Sequence, residues 1–224
     1  MRKIIVGAQL SLDGVMQAPG GTAEDPTNGF KFGGWSMDHF DEESGEEIMR
    51  LFSGDFALLL GRKTYEIFAA YWPYYDESAE DGSIATLFNR ATKYVVSRSG
   101  DVDTSWNNSV LLGDIDDVKR VRQEEGSNLV VQGSTVLVHS LFASDLVDAL
   151  STYTIPVVLG GGKKLFADGS APRVFTLTGS RVSSTGNLIS HYERGGEVKT
   201  GGGIVVESPS EREIARQARM RREG

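Results

Sequence analysis

The chain has 224 residues, with 23 Lys and Arg against 31 Asp and Glu for a net charge of −8, and no cysteine. A chain of that size buries roughly 70% of its unfolded surface and folds as one domain without metal or disulfide staples. The lack of cysteine excludes disulfides, thiolate zinc sites and cysteine nucleophiles, the acidic balance speaks against nucleic acid as a partner, and no apolar run approaches the ~20 residues of a membrane span.

Met1-Arg2-Lys3 leads straight into a strand-like run and does not read as a signal peptide, so a soluble, cytoplasmic protein without membrane contact is expected. Short β-branched runs at residues 4–8, 56–60, 94–97, 110–112, 129–132, 146–153, 174–180 and 188–193 predict strands. Helix-period stretches fall at 41–52, which opens with acidic residues, and at 63–70, 115–125 and 135–143, with Gly126 placed to end the third. Strand and helix alternate from Phe56 to Tyr153. That pattern predicts an α/β fold of three layers with a mostly parallel central sheet. No helical run separates the last two strands, and "TGSRVSSTGNL" reads as a turn, so they should form an antiparallel hairpin at a sheet edge. Residues 17–34 form a long Gly- and Pro-containing loop, of a length that is usually functional or disordered. Residues 195–224 are expected to lie outside the 1–194 domain, as a Gly-rich linker and a charged helical tail capped at Ser208 or Ser210.

Three strand ends suit a phosphate. In "ALLLGRKTYE" a strand stops at Gly61, and Arg62, Lys63 and Thr64 open a helix whose free N–H groups favour an anion. "NLVVQGSTVLVHSLF" repeats the pattern at Gly133, Ser134 and Thr135, where a missing side chain lets a ligand approach the main chain. "YVVSRS" ends in Ser97 and Arg98, a hydroxyl and a guanidinium that together suit a phosphomonoester. Ligands of open α/β sheets collect at the carboxyl ends of the strands, so the three ends are compatible with one extended cofactor. "VVLGGGKKLF" is not a nucleotide-triphosphate loop, since Val157 stands where its first Gly should be and Lys164 where Ser or Thr should follow the lysine. It reads as a Gly turn opening a short helix at 163–166.

Taken in order, these segments resemble the dihydrofolate-reductase-like family, which includes the reductase domain of the riboflavin-biosynthesis deaminase-reductase. "IVGAQLSLDGVM", "LLLGRKTYEIFAAYWP", "YVVSRS" and "VVQGSTVLVHSLF" carry the match, and "SLDG" with "PVVLGGGKKLF" leans toward the riboflavin-type and small stand-alone reductases. The resemblance implies NADPH as cofactor. Gly61, Arg62, Lys63 and Thr64 would line its adenosine and phosphate side, and Ser97 and Arg98 would take the 2′-phosphate. Gly133, Ser134, Thr135 and Val136 would hold the pyrophosphate, and the main chain of Ala8 the nicotinamide carboxamide. Members of this group are often dimers, which leaves a homodimer open.

The acid is less well marked. In "MDHFDEESGEEIMRLF", Asp38, Asp41, Glu42 and Glu43 all compete for the role of the first-helix carboxylate, and Asp13 of "SLDG" is a further candidate, though an Asp-Gly pair is also a common turn. Asp13 and Asp41 are the two expected catalytic residues, polarising a water that delivers a proton. His39, His139 and His191 show no metal-ligand spacing, so no metal is expected. Trp35, Tyr65, Tyr71, Trp72 and Tyr74 fit either a pocket wall or core packing. The expected activity is NADPH-dependent hydride transfer to a pterin-like or aminopyrimidine small molecule. A phosphoribosyl-aminopyrimidine would need further cations, for which Lys163, Lys164 and Arg173 are the supply. The alternative is an NADPH-binding sensor or scaffold without turnover.

Overall fold

All the expected strands form, and they form one sheet. The computed structural model describes residues 1–75, 82–202 and 208–223. In it β1 (Ile4–Ser11), β2 (Phe56–Gly61), β3 (Thr92–Val96), β4 (Ser109–Leu112), β5 (Asn128–Gln132), β6 (Ala149–Ile155), β7 (Phe175–Val182) and β8 (Leu188–Arg194) lie in the order β4-β3-β2-β5-β1-β6-β8-β7. The strands from β4 to β6 in that order pair in parallel, and β8 runs antiparallel to both β6 and β7. The hairpin turn itself is shorter than the sequence suggests, because Ser183 closes it by accepting from Asn187 N–H and donating its own N–H to Asn187 O (2.9 Å).

Alternation of side chains along each strand sets the layers. Ile4, Val6, Ala8, Ala57, Leu59, Leu129 and Val131 face one way and are covered by Val118 and Val121 of α4 (Ile115–Gln123) and by Leu137, Val138, Leu141 and Phe142 of α5 (Thr135–Ala143). Leu58, Leu60, Val95 and Val130 face the other way, against Phe52, Tyr65 and Phe88 from the ends or faces of α1 (Glu42–Leu51), α2 (Arg62–Ala69) and α3 (Gly82–Arg90). Gly7 sits on this second face, where a Cβ would stand 2.4 Å from Leu51 Cδ2 and 2.7 Å from Gln132 Oε1. α1 can approach the sheet there because residue 7 has no side chain.

Several expectations need correcting. No helix forms at 163–166. Instead that segment is extended against the loop after β1, with Met16 N–H donating to Lys163 O (2.8 Å) and Leu165 N–H to Gly14 O (3.0 Å). β6 starts at Ala149, not at 146, because Leu146 N–H still closes the end of α5 on Leu141 O (2.9 Å). α4 stops at Gln123, ahead of Gly126. α3 is a helix the sequence reading did not contain. In the tail, α6 (Glu211–Glu223) is capped by Ser210, whose Oγ accepts from Glu213 N–H (3.3 Å). Among the described residues no helix is long and apolar enough to cross a membrane.

Lys93 of β3 is wholly buried, yet its ammonium is satisfied. It donates to Phe88 O (2.8 Å) and Asn89 O (3.2 Å) near the end of α3 and stands 4.3 Å from the Trp106 ring centre. Desolvation lowers its pKa to about 8. Below that value the folded state carries the full cost of burying the charge. As pH rises from 8 toward 10.5 the folded protein releases this proton before the unfolded chain does, and stability increases. Urea unfolding should therefore show a gain of about 2 kcal/mol between pH 7 and pH 10 that Lys93→Met lacks.

Candidate functional site

β2 and β5 are neighbours in the sheet, so the turns that follow them lie side by side. Two hydrogen bonds join them. Gly61 N–H donates to Ser134 Oγ (2.9 Å), and Ser134 N–H donates to Thr64 Oγ1 (3.1 Å). Gly133 and Ser134 both adopt left-handed backbone, at φ 69° and 60°. At Gly133 this conformation disfavours any side chain, and a Cβ would also press on Thr64 Cγ2 at 3.4 Å. Ser134 holds the same geometry at a cost of about 1 kcal/mol or more, offset by its two bonds across the turn.

The cross-bonding has a consequence for the helix starts. Asp41 and Asp114 cap α1 and α4 through their side chains, whereas α2, starting after Gly61, and α5, starting after Ser134, have no side-chain cap. Ser134 is the natural cap of α5, but its Oγ already serves Gly61. Two helix N-termini therefore lie together with uncapped N–H groups, which is the arrangement that favours an anion.

Around this point, Ser97 and Arg98 follow β3, the other neighbour of β2. Ser97 is buried, its N–H bonded to Leu112 O (2.9 Å), and its Oγ lies 3.3 Å from Ser99 Oγ. Arg98 is exposed, and its guanidinium has no hydrogen bond or ion pair among the described residues. Lys63 is exposed at the start of α2, while Arg62 turns back along the helix to Glu66 (2.7 and 3.0 Å). Thr135 is half-buried and Val136 is exposed at the start of α5. Ala8 is buried in β1, just beyond the last pairing of β1 with β5 at Gly7 and Gln132, so one edge of its strand opens toward the cradle.

The two acids have different surroundings. Asp13 accepts from Ser11 Oγ (2.6 Å), Leu159 N–H (3.1 Å) and Gly160 N–H (2.9 Å), and these bonds, the serine foremost, lower its pKa to about 2. It is a carboxylate that ties the β1 loop to the Gly160 loop. Asp41 accepts from Ser44 N–H (2.9 Å) at the helix cap and from Ser184 Oγ (3.0 Å) and Thr185 N–H (2.9 Å) of the hairpin turn. Burial opposes its ionisation, but the hydroxyls and amides around it hold it well below the usual carboxylate range. Asp38 and Glu42 are exposed.

The buried acid is one that the sequence reading passed over. Glu47 lies on the inner stripe of α1 with Ser44, and its Oε2 is 3.2 Å from His191 Nε2. Arg50 (3.2 Å) and Arg181 (3.5 Å) flank its other oxygen. His191 Nδ1 is 3.2 Å from Ser151 Oγ, which donates to Tyr153 OH (3.3 Å). Tyr153 in turn walls a small cavity with Gln9, His39, Phe40, Ser44 and Asn187. The amide oxygens of Gln9, Asn187 and Gln132 are buried there or nearby without a donor. The spacing Ser44–Glu47–Ile48–Leu51 was the available signal, since it places one glutamate on the apolar side of an otherwise acidic helix.

Other candidates are structural. Trp35 Nε1 donates to Gln17 O (2.8 Å) and pins the long loop, and Tyr65 is core, bonded to Ser109 Oγ (2.9 Å). Tyr71 and Trp72 pack with Tyr75. His139 Nε2 meets Lys164 O (2.9 Å). Among the described residues no cluster of three or more His, Cys, Asp or Glu is placed to hold a metal ion.

Comparison with known proteins agrees with this architecture. Residues 2–189 match the family described as the RibD C-terminal domain. The uncharacterised protein YyaP of Bacillus subtilis (strain 168) is 24% identical over 200 residues, covering 85% of this chain and 95% of that one. A protein assigned to riboflavin biosynthesis from Shewanella sp. PV-4 superimposes with a TM-score of 0.59 at 18% identity, over 86% of this chain and 99% of its own. Dihydrofolate reductase from Enterococcus faecalis, in complex with NADP(H), gives a TM-score of 0.53 at 14% identity, over 86% and 96%. Because the match runs from ahead of β1 into β8 and takes in every strand end of the cradle, the chain belongs to the RibD C-terminal domain family, a reductase-type domain on a dihydrofolate-reductase-like fold.

Proposed function

We propose that this protein is an NADPH-dependent reductase of a small, unphosphorylated nitrogen heterocycle. The observation that carries this reading is the pair of uncapped helix N-termini at Gly61 and Ser134, locked side by side, with the unpaired Arg98 guanidinium one strand away. A pyrophosphate suits the former and a 2′-phosphate the latter. NADPH would supply the hydride, and the protein's part is to hold and orient both reactants. Gly133 leaves room for close approach of the main chain, Thr64 and Ser134 hold the turn in shape, and the open edge of β1 at Ala8 offers main-chain groups to a carboxamide.

The cations support a substrate without phosphate. Lys163 Nζ is bonded to Asp25 Oδ2 (2.5 Å) and Thr27 Oγ1 (2.8 Å), and Arg173 to Asp145 Oδ1 (2.6 Å) and Phe142 O (2.6 Å). Of the three cations considered for a substrate phosphate, only the exposed Lys164 is left. Pulling a lysine or arginine from a partly buried ion pair to serve another anion forfeits the first interaction. Asp13, ionised and bonded to Ser11 and the Gly160 loop, holds the loop after β1 in place.

NADPH oxidation in the presence of dihydrofolate, or of the deaminated aminopyrimidine precursor of riboflavin with and without its phosphate, tests the activity. Tight NADPH binding with turnover of none would instead support a sensor or scaffold. Arg98→Ala should weaken NADPH by about 1.5–3 kcal/mol and leave NADH nearly unchanged in calorimetric titration. Equal losses for both would remove Arg98 from the 2′-phosphate site. For Asp13, whose pKa is depressed to about 2, the stabilisation is complete above pH 4 and is lost as pH falls toward 2. Urea midpoints should fall less steeply over that window in Asp13→Asn than in the wild type, and the variant's turnover should drop as the Gly160 loop loosens.

A further inference from the structure

Reduction of a C=N or C=C–N unit requires a proton as well as a hydride. Both aspartates offered for that task are ionised acceptors with every near neighbour donating to them. A different chain of groups ends at the pocket. Ser151 and Tyr153 are on the same face of β6, Ser151 is in register with His191 of β8, and Gln9 of β1 is in register with Tyr153. The Tyr153 oxygen accepts from Ser151, so its own hydrogen is left with no acceptor among the described residues. The neighbouring Gln9 Oε1 has no donor. A donor and an acceptor on adjacent strands are thus both unmet beside the small cavity that Gln9 and Tyr153 line.

We propose that Tyr153 is the catalytic proton donor, reloaded through Ser151 from the His191 imidazolium, with Glu47 as the positioning residue. This rests on the reductase reading above. The donors line up in one direction. The imidazolium Nε2–H points to the Glu47 carboxylate (3.2 Å), Nδ1–H points to Ser151 Oγ (3.2 Å), and the Ser151 hydroxyl points to Tyr153 OH (3.3 Å). When the substrate carbon receives the hydride, the electron pair of its double bond moves to nitrogen. That nitrogen takes the Tyr153 proton, the phenolic oxygen takes the serine proton, and the serine oxygen takes the proton of Nδ1. Histidine is left neutral with Nε2–H still on Glu47, and one proton has moved for one hydride. The ring of His191 is about one-third exposed, so it recovers its proton from solvent. Burial, with the nearby Glu47 charge, pushes the Tyr153 pKa up to about 12 and keeps the phenol protonated at rest. The charged groups around His191 are Glu47 and Arg50 of α1 and Arg181 of β7. The two guanidiniums flank the Glu47 oxygen that does not face His191.

The test pairs turnover with a measurement on the ligand-free protein. Tyr153→Phe should lower kcat for NADPH oxidation at least 100-fold, with KM for the dihydrofolate or aminopyrimidine probe and the calorimetric NADPH affinity within threefold of wild type. His191→Gln should lower kcat and abolish the alkaline limb of the pH–rate profile, which a merely structural histidine would leave in place. In the ligand-free protein, Tyr153→Phe should also move the Nδ1 resonance of His191 in ¹⁵N spectra of the histidine rings, because Ser151 loses its acceptor and turns. Retained kcat in Tyr153→Phe, or an unmoved His191 resonance, overturns the relay while leaving the NADPH-dependent reductase reading intact. A wild-type protein that binds no NADPH, or turns over none of the probes, removes the reductase reading and takes the relay with it.

Discussion

Two hydrogen bonds between neighbouring strand ends, Gly61 N–H to Ser134 Oγ and Ser134 N–H to Thr64 Oγ1, organise the site. Each is an ordinary neutral contact of about 1 kcal/mol. Their effect lies in what they prevent. With its hydroxyl turned toward the β2 turn, Ser134 cannot cap its own helix, and α5 keeps its first N–H groups open beside those of α2. The starts of α1, α4 and α6 are closed by the side chains of Asp41, Asp114 and Ser210. The contrast leaves α2 and α5 as the two helices whose first N–H groups lie open side by side.

The second face of the sheet carries the polar groups. A core of Leu58, Leu60, Phe52 and Phe88 gives way, toward β1, β6 and β8, to Gln9, Ser151, Tyr153, His191 and Glu47. Burying such groups is costly unless they are bonded, and most of them are. The exceptions among the described residues here are the amide oxygens of Gln9, Gln132 and Asn187 and the Arg181 Nε, near the approach of α1 to the sheet. Gly7 makes that approach possible. The glycine and the unmet acceptors thus lie together where α1 is drawn against the strands, beside a small cavity.

The loops over the site are tied down by charge. Asp13 joins the β1 loop to the Gly160 loop, and Lys163 joins the same loop to Asp25 and Thr27 of the long segment at 17–34. Lys163 is therefore internally matched, while the exposed Lys164 has no ion pair among the described residues. Arg98, left unmatched on the other side of β2, stands out against that background.

Much of the architecture could be read directly from the amino-acid order. β-branched runs of four to eight residues bounded by polar turns identify strands whatever their partners, and strand–helix alternation leaves few ways to arrange them. Gly61, Gly133, Ser97 and Arg98 stood out because they end such runs. α3 did not, since its "GSIATLFNR" holds few strong helix formers and owes its form to packing against Phe52, Phe68 and Trp72. The segment at 163–166 failed as a helix for the opposite reason: main-chain bonds to Gly14 and Met16, distant in sequence, pull it straight. Local pattern, then, determined the strands, their alternation with helices and the glycine turns, because these depend on each residue's own conformational limits. Only the tertiary structure decided which ions pair, that Ser134 caps a neighbour's turn, and that Glu47 among many acids meets His191, because those are contacts between residues dozens of positions apart, and linear order carries no record of distance in space.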